Sequence, residues 1–228
     1  NKINLLKIQI HDTQKSSIPT LEINKWQQTE RSIIPLKLYQ TWHTLDLPIY
    51  MKDNVEKIKK QNPEFTHYLY DDEMCREFIK ENFEEDVLNA YDRLIPGSYK
   101  CDLWRYCILY KYGGIYLDIK YKCVNDFKLI FLTDKEYWVK DCNYSVDNST
   151  IKSHGVYQGL LVTFPNNRKL FQAIKEIVYN CQLYNYGRSD LDITGPHCLG
   201  NFFNENIDII PLNLEFSKSY ILLNKYKI

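Results

Sequence analysis

The chain has no excess of either charge: 29 Lys and Arg stand against 29 Asp and Glu. No global field therefore draws it to nucleic acid or to an anionic membrane, and any anion site must be local. It also has no C-x-x-C pair. Its seven cysteines (75, 101, 107, 123, 142, 181, 198) are scattered and odd in number, which argues for reduced thiols in a compartment such as the cytoplasm and against a disulfide framework or a zinc knuckle. No apolar run approaches the roughly 18 residues of a membrane-crossing helix, so no span is expected in this chain. Internal repeats and low-complexity tracts are absent as well. The opening residues do not read as a secretory signal, and a first residue of Asn1 leaves room for an anchor or domain upstream.

What is present suits one folded domain: 228 residues, 44% of them hydrophobic, are ample for a single core. Residues 1–34 are polar and weakly patterned and read as an N-terminal extension, with a strand over 3–10 and a short helix over 21–28. Residues 35–228 read as the domain. Within it strands are expected over 36–41, 65–70, 136–140 (an exposed one), 156–164, 207–212 and 219–223. Helices are expected over 53–61, 71–81, 84–94, 168–180 and 196–203, and residues 127–132 fit a helix or a strand. Residues 184–195 read as a polar, aromatic loop. Strands alternating with helices make the class α/β with a mainly parallel central sheet.

The stretch 98–126 organises the rest. Cys101, Trp104, Ile108 and Tyr112 recur at helical spacing, and Gly113-Gly114 supplies a stop. Ile115, Tyr116 and Leu117 make a buried strand, with Asp118 at its C-terminal edge, where open α/β sheets bind ligands. Asp102 and Arg105 share one helix face, able to grip one polar ligand or each other. If the strand continues past Asp118, then Lys120 and Lys122 line the same wall as that aspartate. Two carboxylates alone would also fit a glycoside hydrolase; their placement at a helix and a sheet edge argues against it.

DLWRYCILYKYGGIYLDIK, from Asp102 to Lys120, resembles the helix, GG-I-Y and D-x-D segment of the glycosyltransferases with a DXD sugar-binding region, a family that includes fungal Golgi initiating mannosyltransferases, bacterial capsule enzymes and the large clostridial glucosylating toxins. A second anchor is IPLKLYQTW (34–42), similar to the family's opening strand, and a third is Thr194-Gly195-Pro196. The resemblance implies a single GT-A-type, Rossmann-like nucleotide-sugar-binding domain. It implies transfer from a UDP- or GDP-sugar to a saccharide or protein acceptor, with retention of configuration. Carried over from the family, Trp42 lies against the base, Asp102 and Arg105 hold donor-sugar hydroxyls and Asp118 contacts ribose and sugar, with Asp102 and Asp118 as the catalytic carboxylates; Gln40, Thr41, Tyr116, Lys120, Gly195 and His197 are the further candidates for the donor site. One departure stands out: Lys120 occupies the place of the second D-x-D aspartate. No cofactor is then expected to be required, because a lysine repels a metal and can itself pair with a diphosphate. The alternative is manganese or magnesium held by Asp118 and His197. A second alternative is a catalytically degenerate protein that binds nucleotide sugar or carbohydrate without turnover.

Overall fold

The computed structural model describes residues 32–124, 126–141 and 155–204, with strand segments at 212–215, 220–223 and 226–227. The strand and helix expected within residues 1–31 lie outside them. In chain order the elements are β1 (Lys37–Thr41), α1 (Ile49–Gln61), β2 (Thr66–Tyr70), α2 (Asp72–Asn82), α3 (Glu85–Arg93), α4 (Gly97–Tyr112), β3 (Gly114–Leu117), a 3-10 turn (Leu129–Leu132), β4 (Tyr137–Lys140), β5 (Val156–Thr163), α5 (Arg168–Leu183), α6 (Asp190–Ile193), α7 (Pro196–Gly200), β6 (Leu212–Glu215), β7 (Tyr220–Leu223) and β8 (Tyr226–Lys227). Among the described residues the strands form one eight-stranded sheet in the order β2-β1-β3-β5-β4-β6-β7-β8. The expected parallel pairing is found in β2-β1-β3, and β5 enters antiparallel on the other side of β3.

Local chemistry sets the boundaries. Asp71 caps α2 by accepting from the Met74 N–H at 2.8 Å, and Asn167 caps α5 by accepting from the N–H groups of Lys169 and Leu170. Helix α1 begins at Ile49, directly after Pro48, four residues before its charged, periodic part. The stop after α4 is Gly113, at φ 61° with its carbon 2.6 Å from the Pro165 nitrogen measured to where a Cβ would lie. Gly114, at φ 113°, presses in the same way on the Lys37 carbonyl oxygen at 2.6 Å. No side chain fits at either position, and this is what lets β3 lie against β1 immediately after the helix ends.

The sheet is covered on both faces. Tyr116 joins Tyr39, Trp104, Tyr106, Leu161 and Ile174 in a core under α2 to α5. Ile115 and Leu117 point the other way, to Leu38, Ile58, Phe65, Leu129 and Val162, as strand alternation requires. Ile34 is buried in this second core, and the N–H groups of Ile33 and Ile34 both donate to the Thr133 carbonyl at 2.9 and 3.1 Å. Helix α4 is buried continuously from Asp102 to Leu109. A helix surrounded on all sides cannot turn its charges to water, so Asp102 and Arg105 must find partners inside.

The extended continuation beyond Asp118 is not found. Strand β3 ends at Leu117, and the chain turns at once, with the Tyr121 N–H donating to the Asp118 carbonyl at 3.0 Å. Asn54 of α1 holds this turn by donating to the Lys120 carbonyl at 3.2 Å. The alternation that placed Asp118, Lys120 and Lys122 on one wall therefore does not apply. The turn brings Lys120 back onto Asp118 by a different route, and Lys122 is exposed.

Candidate functional site

Arg105 is the centre of the site. Its Nη2 lies 3.3 Å from Asp102 Oδ1 and its Nη1 3.7 Å from Asp118 Oδ1, so one guanidinium faces both carboxylates. Nη1 also donates to the Gln158 carbonyl of β5 at 2.7 Å, Nε donates to the Cys101 carbonyl at 3.3 Å, and the Tyr116 ring lies 4.4 Å from the guanidinium carbon. Burial opposes its charge, but the thiol, the phenol and the two carboxylates around it raise its pKa well above the usual value. It is a fixed cation.

The two carboxylates differ. Asp102 is 8% exposed, and burial pushes its pKa up to about 7, against the pull of Arg105 and of the Thr194 hydroxyl, which donates to Oδ2 at 2.8 Å. Asp118 is half-buried at the end of β3; its Oδ1 accepts from the Tyr116 hydroxyl at 2.8 Å and its Oδ2 lies 3.1 Å from Lys120 Nζ. The Lys120 side chain is 60% exposed, so it can leave Asp118 for an arriving anion at little cost.

The remaining candidates fall into two neighbourhoods. At the exit of β1, Gln40 is fully buried and its Oε1 meets His67 Nε2 at 2.8 Å. Burial holds His67 down to about 4, so the imidazole is neutral near pH 7. Thr41 donates to the Tyr70 carbonyl at 2.9 Å. Trp42 is half-buried beside His43 at a ring separation of 5.0 Å, and its indole N–H is buried without a partner. On the far side, Gly195 precedes α7, and His197 Nδ1 is bound to Asp192 Oδ1 at 2.9 Å.

The structure thus joins Asp102, Arg105, Tyr116, Asp118 and Lys120 in one contiguous network. Gln40, Thr41 and Trp42 sit next to it at the end of the neighbouring strand. The Asp118 carboxylate accepts from the Tyr116 phenol and faces the two cations Arg105 and Lys120, while His197 is bound through Nδ1 to Asp192. Among the described residues no group of three or more His, Cys, Asp or Glu could hold a metal ion. Thr194, Gln158 and Cys101 belong to the site yet were not among its predicted residues. The only signal in the sequence was Thr194 standing in the Thr-Gly-Pro anchor.

Residues 48–138 match the family described as "Glycosyltransferase sugar-binding region containing DXD motif". A mannosyl phosphorylinositol ceramide synthase of Saccharomyces cerevisiae is 32% identical over 120 residues, covering 53% of this chain and 31% of that protein. Inositol phosphoceramide mannosyltransferase 3 of Schizosaccharomyces pombe is 35% identical over 94 residues, covering 41% and 26%. The initiation-specific alpha-1,6-mannosyltransferase of Candida albicans is 33% identical over 97 residues, covering 40% and 25%. The matched part therefore spans less than a third of these relatives' length. A solved structure titled "PaToxG Glycosyltransferase" superposes with a TM-score of 0.55 at 18% identity, covering 76% of this chain and 70% of that one. At that identity it speaks for the α/β fold alone.

Proposed function

We propose that the chain is a retaining glycosyltransferase that binds a nucleotide sugar at the exit of β1 and β3 and transfers the sugar to a saccharide, lipid-linked or protein acceptor. The observation that carries this reading is one buried guanidinium, Arg105, facing two carboxylates, Asp102 and Asp118, at the edge where an α/β sheet binds its ligand. Sugar and ribose hydroxyls are donors that a carboxylate accepts, and a fixed cation holds both carboxylates in place without itself being consumed. Trp42, beside them on the next strand, offers a π-face to the base.

Catalysis in this reading comes from positioning and from charge placed where the leaving diphosphate develops it. Lys120 supplies that charge. Its exposed ammonium exchanges the Asp118 carboxylate for a phosphate oxygen, and no divalent ion is needed. Transfer should persist in excess chelator and fall in Lys120→Ala by roughly tenfold or more, a smaller loss than that of a whole divalent ion. Activity abolished by chelator, restored by manganese and indifferent to Lys120→Ala would sink the metal-free arrangement.

The deciding experiment is release of nucleotide from a panel of nucleotide sugars, with and without acceptors. Relatives named for mannosyl transfer and for inositol phosphoceramide make the mannose nucleotides, with UDP and with GDP, the first donors to try and inositol phosphoceramide one of the acceptors. The second reading, a binder without turnover, draws on Lys120 in place of an aspartate. It predicts thermal stabilisation by a nucleotide sugar with no nucleotide released.

A further inference from the structure

We propose that Thr194 is a positioning residue for Asp102, fixing its carboxylate from inside the protein so that the remaining lone pairs face the donor sugar; this rests on the transferase reading above. The hydroxyl donates to Asp102 Oδ2 at 2.8 Å, across 92 residues of chain, while Oδ1 faces Arg105. Both carboxylate oxygens are thereby engaged on their protein side.

Thr194 is itself held more firmly than a loop residue needs to be. Fully buried, it offers a carbonyl that accepts from the Tyr106 hydroxyl of α4 at 3.1 Å and from Gln158 Nε2 of β5 at 3.2 Å. The preceding carbonyl, that of Ile193, accepts from Asn180 Nδ2 of α5 at 3.2 Å. At Gly195 a Cβ would stand 3.0 Å from the Leu191 carbonyl oxygen, so the chain on the other side is packed just as closely. Two consecutive peptide groups are pinned to three elements, and the product of that pinning is one hydroxyl aimed at one carboxylate.

The chemistry of the pair predicts a measurable consequence. A hydroxyl that donates to a carboxylate favours the ionised form, the form that accepts from a sugar hydroxyl. The ionisable groups around Asp102 are Tyr99, Cys101, Arg105 and Tyr106 on α4, Asp118 after β3 and Cys198 on α7. Burial and Asp118 raise its pKa, and Arg105 and Thr194 lower it. Loss of the hydroxyl therefore moves the titration of Asp102 upward. The expected size is about one to two pH units, the effect of one hydrogen bond to a charged group.

The test uses Thr194→Val, Thr194→Ala and Thr194→Ser. In the first two the acid limb of the pH profile of kcat/KM should shift upward, with a loss of tenfold or more at pH 6.5 that is largely recovered at pH 8.5. Thr194→Ser should follow the wild type. Should the valine variant not fold, the alanine variant, which only opens space, carries the same expectation. The Asp102 carboxyl is followed in parallel by carbon NMR of protein labelled at aspartate, assigned with Asp102→Asn. An unshifted carboxyl titration in a folded variant lacking the hydroxyl, or a serine variant behaving like valine, overturns the proposal. If the wild-type protein turns over no nucleotide sugar, the transferase reading fails on its own, and the carboxyl titration still decides Thr194.

Discussion

A single guanidinium shared by two acids makes each acid more than a ligand contact. In Asp118→Asn and Asp102→Asn the fold should survive, because Arg105 keeps the other carboxylate and the Gln158 carbonyl. Transfer should fall by about a hundredfold or more, the usual result of losing one key electrostatic contact. A folded variant of either with wild-type turnover takes that residue out of the site. Trp42→Ala should weaken nucleotide binding by about 1–3 kcal/mol, the scale of base stacking, as measured by calorimetry with the free nucleotide; unchanged affinity would return Trp42 to the core. The three-residue spacing of Asp102 and Arg105 made their pairing legible, and left open whether they hold a ligand or each other. They hold each other, at 3.3 Å. Thr194 was not legible as a partner, because nothing local to a threonine reveals a carboxylate 92 residues away.

Elements were read best where a strong local signal marks them. Gly113-Gly114 after an apolar period placed the end of α4 and the start of β3, and the geometry explains why both glycines are required. Gly113→Ala puts a side chain on an extended backbone of positive φ that only glycine readily adopts, and against the Pro165 nitrogen, so it should cost about 1–3 kcal/mol for the backbone alone and more for the overlap. Urea unfolding should show a lower midpoint with an unchanged slope; an unchanged midpoint would mean that the β5–α5 turn simply yields. Weaker signals misled: the strand expected to be exposed over 136–140 is β4, whose Tyr137, Trp138 and Val139 are buried in the two cores. Alternation past Leu117 suggested a longer strand, yet tertiary contact with α1 through Asn54 favours a turn. Residues 127–132, open between helix and strand, hold a 3-10 turn at Leu129–Leu132. The polar stretch 184–195 hides α6, whose start is held by Asp192 Oδ2 accepting from the N–H groups of Arg188 and Ser189 at 2.8 and 3.2 Å. Helix α5 runs to Leu183, beyond the expected 180, and α7 stops at Gly200. β6 begins at Leu212, where residues 207–212 were expected; positions 205–211 lie outside the described residues.

For the molecule as a whole, a buried acid ties stability to pH. The folded state holds the Asp102 proton up to about pH 7, whereas the unfolded chain releases it near pH 4. Between those values the folded state binds more protons, so stability falls as pH rises through the window. Asp102→Asn lacks this dependence. Its melting temperature minus that of the wild type should therefore become more positive between pH 4.5 and pH 8, by about 2–4 °C for each kcal/mol involved; a constant difference would show that Asp102 ionises as freely folded as unfolded. The span of the bonds at Arg105 and Asp102 has a kinetic meaning too. They join residues 53 and 92 positions apart, and such closures come late, after short-range packing has formed. A refolding chain should thus bury Trp104, whose ring lies 4.9 Å from that of Tyr70, before it closes the bonds to Gln158 and from Thr194. Under the proposed function, capture of a nucleotide sugar followed by stopped flow should then lag the change in tryptophan emission, and coincident phases would show that the site closes together with the core.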